Sequence, residues 1–95
     1  MDERKIVRTE KMGVFFGKIE SKTDTSIVLS NARRLWYWDG AASLSELAHF
    51  GTAKPRSCKF PCVVDLLEVS GWGEIISVTE VAAKSIDEVP EWKQR

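Results

Sequence analysis

The sequence has little of what staples a small protein or binds a metal. Cys58 and Cys62 are its two cysteines and His49 its one histidine, in 95 residues. Two cysteines make a thin framework for a secreted disulfide domain. Their C-x3-C spacing has no second pair, so a zinc site would need ligands from another subunit. The thiols therefore read as buried or idle, with no metal and no cofactor expected. Net charge is absent as well: 14 Lys and Arg balance 14 Asp and Glu, with a pI near 6.6. Duplex nucleic acid is not expected as the main partner, because that function draws most of its affinity from a basic stripe. No apolar leader segment or long apolar span occurs, which leads to the expectation of a cytoplasmic protein that does not enter a membrane. With three prolines and six glycines, the chain shows no linker, repeat or low-complexity tract, and residues 1–95 are expected to form one domain.

Catalytic signatures are missing too. The sequence contains no G-x-x-x-x-G-K-[ST] phosphate loop, no G-x-G-x-x-G and no G-x-S-x-G elbow. Asp65 and Glu68 lie three apart on an expected strand, which sends their side chains to opposite faces. His49 reads as a packing residue, since acid–base work needs a placed partner. No catalytic residue is expected, and the chain reads as a non-enzyme.

What the chain does have is flat rings beside guanidinium groups. The run Asn31-Ala32-Arg33-Arg34-Leu35-Trp36-Tyr37-Trp38-Asp39-Gly40 holds two of the four tryptophans, the only tyrosine and two adjacent arginines. Such a run can fill a small core, or it can stack on and pair with a planar anion such as a nucleotide. If extended, it places Arg34, Trp36 and Trp38 on one face and Arg33, Leu35 and Tyr37 on the other. The run suits both roles. Lys54, Arg56 and Lys59 make a second basic cluster, either a solvated loop or a rim over an anion. Arginine heads rarely form cores. Loss of Arg33 or Arg34 is therefore expected to disturb the fold less than loss of Trp36 or Trp38.

The local signals predict strands at Lys5 to Thr9, Val14 to Glu20 and Thr25 to Ser30. After a corner at Asn31 another is expected from Arg33 to Trp38, then two more at Cys62 to Val69 and Glu74 to Val78. Gly17 inside the second strand points to a bulge or a close backbone approach. The main helix is expected at about Ser43 to Phe50, N-capped by Ser43 and ended by Gly51. A short C-terminal helix follows from Glu80 to Ile86, capped by Thr79. The fold class is α+β: a small curved antiparallel sheet or partial barrel with one main helix and the short C-terminal one. A core this small, together with the apolar Trp92 in the terminal tail, suggests a homodimer or higher homo-oligomer.

Val14-Phe15-Phe16-Gly17, the stretch from Asn31 to Ala48, Cys58-Lys59-Phe60, Glu74-Ile75-Ile76 and Val89-Pro90-Glu91-Trp92-Lys93 resemble a small domain of tailed bacteriophages and prophages. Its members are mostly of unknown function. Ser70-Gly71-Trp72-Gly73 departs from that pattern, where a plainer strand junction is expected. In size, strand-plus-helix order and phage origin the chain is similar to the Thoeris anti-defence (Tad) proteins of the first type. Those are non-enzymatic oligomeric sponges for cyclic ADP-ribose isomers, some of which also bind cyclic oligonucleotides. This resemblance implies a phage-encoded sponge that sequesters a cyclic nucleotide immune signal in the infected host's cytoplasm. It transfers no binding residue to these positions.

The residues themselves suit such a ligand. Phe15, Phe16, Trp36 or Trp38 could take a purine face, and Arg33 or Arg34 a phosphate. Asn31 offers a donor and an acceptor to a base edge, while Arg56 and Lys59 would form a cationic rim. The alternative is a phage structural or accessory module whose Arg, Trp and Tyr residues form a protein interface. Binding of single-stranded nucleic acid is a third reading, weakened by the zero net charge.

Overall fold

The computed structural model describes residues 3–94. It contains one antiparallel sheet of five strands: β1 (Lys5–Thr9), β2 (Val14–Lys22), β3 (Ser26–Arg34), β4 (Val63–Ser70) and β5 (Trp72–Ser77). Two helices, α1 (Leu44–Phe50) and α2 (Glu80–Asp87), complete an α+β architecture. The expected main helix is not one: α1 has 7 residues and α2 has 8. Their predicted caps are in place. The Ser43 hydroxyl accepts from the Glu46 amide at 3.1 Å, and Thr79 Oγ1 accepts from the Ala82 amide at 3.0 Å. Thr79 Oγ1 also donates to the carbonyl of His49 at 2.7 Å, tying the end of α1 to the start of α2.

Strand order across the sheet is β4-β3-β2-β1-β5. The two edge strands, β4 and β5, are joined through Gly71 alone. The sheet must therefore curve until its edges approach each other at that residue, yet it is not closed into a barrel. Gly71 adopts a left-handed φ of 72° that an L side chain rarely takes. Its amide donates to Thr25 O at 2.8 Å and its carbonyl accepts from the Glu10 amide at 3.2 Å. One residue thus joins the β1–β2 turn to the β2–β3 turn. Trp72 secures the same corner, its indole donating to Thr23 O at 2.9 Å with Lys22 Nζ 5.1 Å from the ring. The expected β5 start at Glu74 is corrected to Trp72, because the junction needs one residue rather than four.

Bulges bend the β2–β3 hairpin. Asn31 and Ala32 stand opposite Gly17 alone, and the register slips again between Ile19 and Ser21. A Cβ on Gly17 would lie 3.0 Å from Ser30 O, so glycine answers to both a bulge and a close approach. Asn31 takes φ 48°, a conformation asparagine tolerates. The predicted corner there is instead a bulge within one strand, and β3 runs through it to Arg34. The separate strand from Arg33 to Trp38 is absent. Leu35 still donates to Val14 O at 2.8 Å, but the chain then changes partner and Tyr37 bridges Lys59.

Both faces of the sheet are covered near its centre. Ile6 and Phe16 pair across β1 and β2 and pack with Leu35, Leu47, Phe60 and Ile86 on the helix side. The next pair, Val7 and Phe15, faces the other way and packs with Ile27, Leu29, Ala32 and Val69. The apolar side chains are thus divided between two small cores.

Candidate functional site

At the end of β3, Arg34 and the two tryptophans that follow it line one wall of an open groove of about 420 Å³. The β1–β2 turn, Lys11 to Gly13, forms the opposite wall. Thr9 shapes that turn: its hydroxyl donates to Gly13 O at 2.9 Å and accepts from the Met12 amide at 2.8 Å. Arg34 is held at the mouth, its guanidinium carbon 4.6 Å from the centre of the Phe15 ring. Nη1 donates to Met12 O at 3.2 Å, which uses one of the five donors of the group. Lys11 supplies the second cation, and the lining residues include no carboxylate. A smaller cavity continues past Met12 and Arg34 toward Leu67 and Glu68.

Trp36 also faces a second feature. It is 65% exposed, and its ring lies nearly parallel to that of Trp92, at 13° with centroids 6.5 Å apart. Lys59 Nζ sits 5.6 Å from the Trp92 ring and 5.9 Å from Tyr37. The Trp92 amide donates to Phe60 O at 3.0 Å, which lays the tail against the body.

Arg33 belongs elsewhere. Only 6% of it is exposed, and its guanidinium donates to four backbone carbonyls. Nε bonds Pro61 O at 2.9 Å, Nη1 bonds Ile86 O at 2.9 Å, and Nη2 bonds Phe60 O at 3.0 Å and Val89 O at 2.9 Å. The group lies 5.5 Å from the Phe60 ring centre. It satisfies a carbonyl in the last turn of α2 and fastens the segment just before β4 to the end of α2 and to Val89 beyond it. Burial pulls the Arg33 pKa below the ordinary arginine value, opposed by the charges of Asp87, Glu91 and Cys62. The expectation of Arg33 as a ligand group is corrected on this geometry, since the group is buried and four of its five donors serve backbone carbonyls.

The other candidate residues divide in the same way. Phe15 is buried and serves the site only as the surface under Arg34. Phe16 is buried on the helix side beneath Arg4, whose guanidinium carbon lies 4.5 Å from the ring centre, and so is removed from the groove. Exposed Asn31 marks the bulge, and Arg56 lies in the turn Pro55–Ser57; neither lines the groove. Lys59 joins the aromatic pair rather than a phosphate rim. Cys58 is buried, Cys62 is exposed, and both are free thiols. Lys11 and Met12 were not anticipated from the sequence, where Met12-Gly13 signals a turn but not which wall it faces.

A family model for a domain of unknown function, DUF6948, matches residues 2–86, and the chain belongs to that family. No curated protein and no solved structure matches it.

Proposed function

We propose that this member of the DUF6948 family is a non-enzymatic binding protein, a phage-encoded sponge that sequesters a cyclic nucleotide or cyclic ADP-ribose-type signal of the bacterial host's immunity. One observation carries the reading: Arg34, Trp36 and Trp38 share a groove with Lys11. Two cations and two indoles provide for phosphate and for a flat ring in the same place. The volume lies within the roughly 300–1,000 Å³ typical of small-molecule sites. Neither His49 nor either thiol lines that groove, which favours holding a ligand over transforming it.

The test is to incubate the protein with cyclic mono-, di- and trinucleotides and with cyclic ADP-ribose isomers. Unbound ligand is then removed, the protein is heat-denatured, and the released material is analysed by mass. Intact release is the expected result, with Arg34→Ala weakening retention by about tenfold to a hundredfold through loss of a charge-assisted phosphate contact. Chemically altered products, or no retention of any ligand, would overturn it.

β4 supports the second reading, a protein interaction module. It is an edge strand with Val63, Val64 and Leu66 exposed, the last at 64%. An uncovered apolar edge of this length is a template for another strand, including that of a second copy. A homodimer by light scattering that Leu66→Lys returns to about 10.7 kDa would support this reading; a wild-type monomer would remove it.

A further inference from the structure

The groove accounts for one side of Trp36 only. Its ring is also set against Trp92, which lies beyond the residues matched by the family model. A centroid separation of 6.5 Å is at the wide end of the roughly 4.5–7 Å range of direct aromatic pairs. That distance is the upper limit of the gap between the two planes and falls just short of two aromatic contact distances of about 3.5 Å each, so a third flat ring enters only as the two indoles part. Both indoles are largely open to solvent, 65% for Trp36 and 45% for Trp92, so neither is needed to fill a core. Two exposed indoles side by side make the kind of apolar patch that marks a binding surface.

The tail that carries Trp92 is not loose. Arg33 Nη2 holds Val89 O, the Trp92 amide holds Phe60 O, and Glu91 bridges Phe60. The buried arginine thus anchors the segment that carries the second ring, while Lys59 Nζ lies over that ring, 5.6 Å from its centre. This arrangement has the parts of a base-stacking platform: two nearly parallel exposed indole faces and a nearby positive charge.

We propose that Trp36 and Trp92 form a slot for the purine ring of the ligand whose phosphate the Arg34–Lys11 groove takes. The inference rests on the binding reading above and narrows it to ligands that carry a purine and a phosphate together. Trp36 is the shared wall, Trp92 the outer jaw, and Arg33 a positioning residue that never touches the ligand.

The test compares Trp92→Phe and Trp92→Leu in the full-length chain. Both remove the indole, but only phenylalanine leaves a face on which a base can stack. The probes are 3′,5′-cyclic AMP, cyclic di-AMP and cyclic ADP-ribose, followed by quenching of tryptophan fluorescence. At least one probe is expected to bind the wild type, with Trp92→Leu weakening it by roughly 5- to 100-fold and Trp92→Phe recovering most of the loss. Equal affinities of the two variants overturn the slot whatever their stability. If Arg34→Ala still weakens binding in that event, the groove reading survives alone. If no probe binds the wild type, both readings fall.

Discussion

Arg33 and Arg34 are neighbours in the chain, yet they work on opposite sides of the sheet. Behind Arg33 lie the helices, Phe60 and the tail, with four carbonyls converging on one guanidinium. Behind Arg34 lies the Phe15 ring, with one carbonyl contact and an open groove in front. The same side chain is a fastener in one setting and an available cation in the other. Alternation along β3 produces the difference, since consecutive residues face opposite ways and the two faces of this sheet are covered unequally. Where cover is complete, a buried charge persists only with its donors satisfied. Where cover ends, the charge remains free to meet an anion.

The conservative exchange of each arginine for lysine is the sharpest way to break this contrast. Lysine keeps the charge but concentrates its donors on one nitrogen, which cannot serve four carbonyls spread over the guanidinium plane. Arg33→Lys is expected to lower stability by about 2–4 kcal/mol in urea denaturation, through carbonyls left buried without a partner. Arg34→Lys should remain within about 0.5 kcal/mol of wild type, as for an exposed surface exchange. Comparable losses would mean that the two settings are not different in kind.

The tryptophans repeat the contrast on a smaller scale. Trp38 is half-buried and packs against the helix-side core, whereas Trp36 is mostly exposed. Trp38→Ala should cost about 2 kcal/mol, below the range for a fully buried ring, and Trp36→Ala less than about 1 kcal/mol. Thermal melts of the two variants would decide it. The order expected from sequence, with both tryptophans mattering more than both arginines, is thereby replaced: Arg33 and Trp38 support the fold, Arg34 and Trp36 the surface.

Much of the fold was legible because its signals are local. The strands at Lys5–Thr9 and from Val14, both helix caps, the Gly17 bulge and the α+β class follow from turn chemistry, spacing and capping residues within a few positions of one another. Arg34, Trp36 and Trp38 do line one groove, but Leu35 lines it with them and β3 ends at Arg34, so strand alternation is not what brings them together. What escaped depends on distant partners. The four acceptors of Arg33 lie 27 to 56 residues away, and nothing near Arg33 distinguishes it from Arg34. Trp92 meets Trp36 through the tail, and the edge-to-edge role of Gly71 exists only once all five strands are arranged. Asn31 misled because asparagine in a left-handed conformation serves turns and bulges alike.

The division of labour between the two arginines is tested most directly by equilibrium urea unfolding of Arg33→Ala and Arg34→Ala, side by side with the wild type. The expected result is a loss of at least about 3 kcal/mol for Arg33→Ala, as when a buried, hydrogen-bonded charge is removed from its partners, against less than about 1 kcal/mol for Arg34→Ala. Equal losses, or a larger loss for Arg34→Ala, would contradict the assignment of one arginine to the fold and the other to the groove.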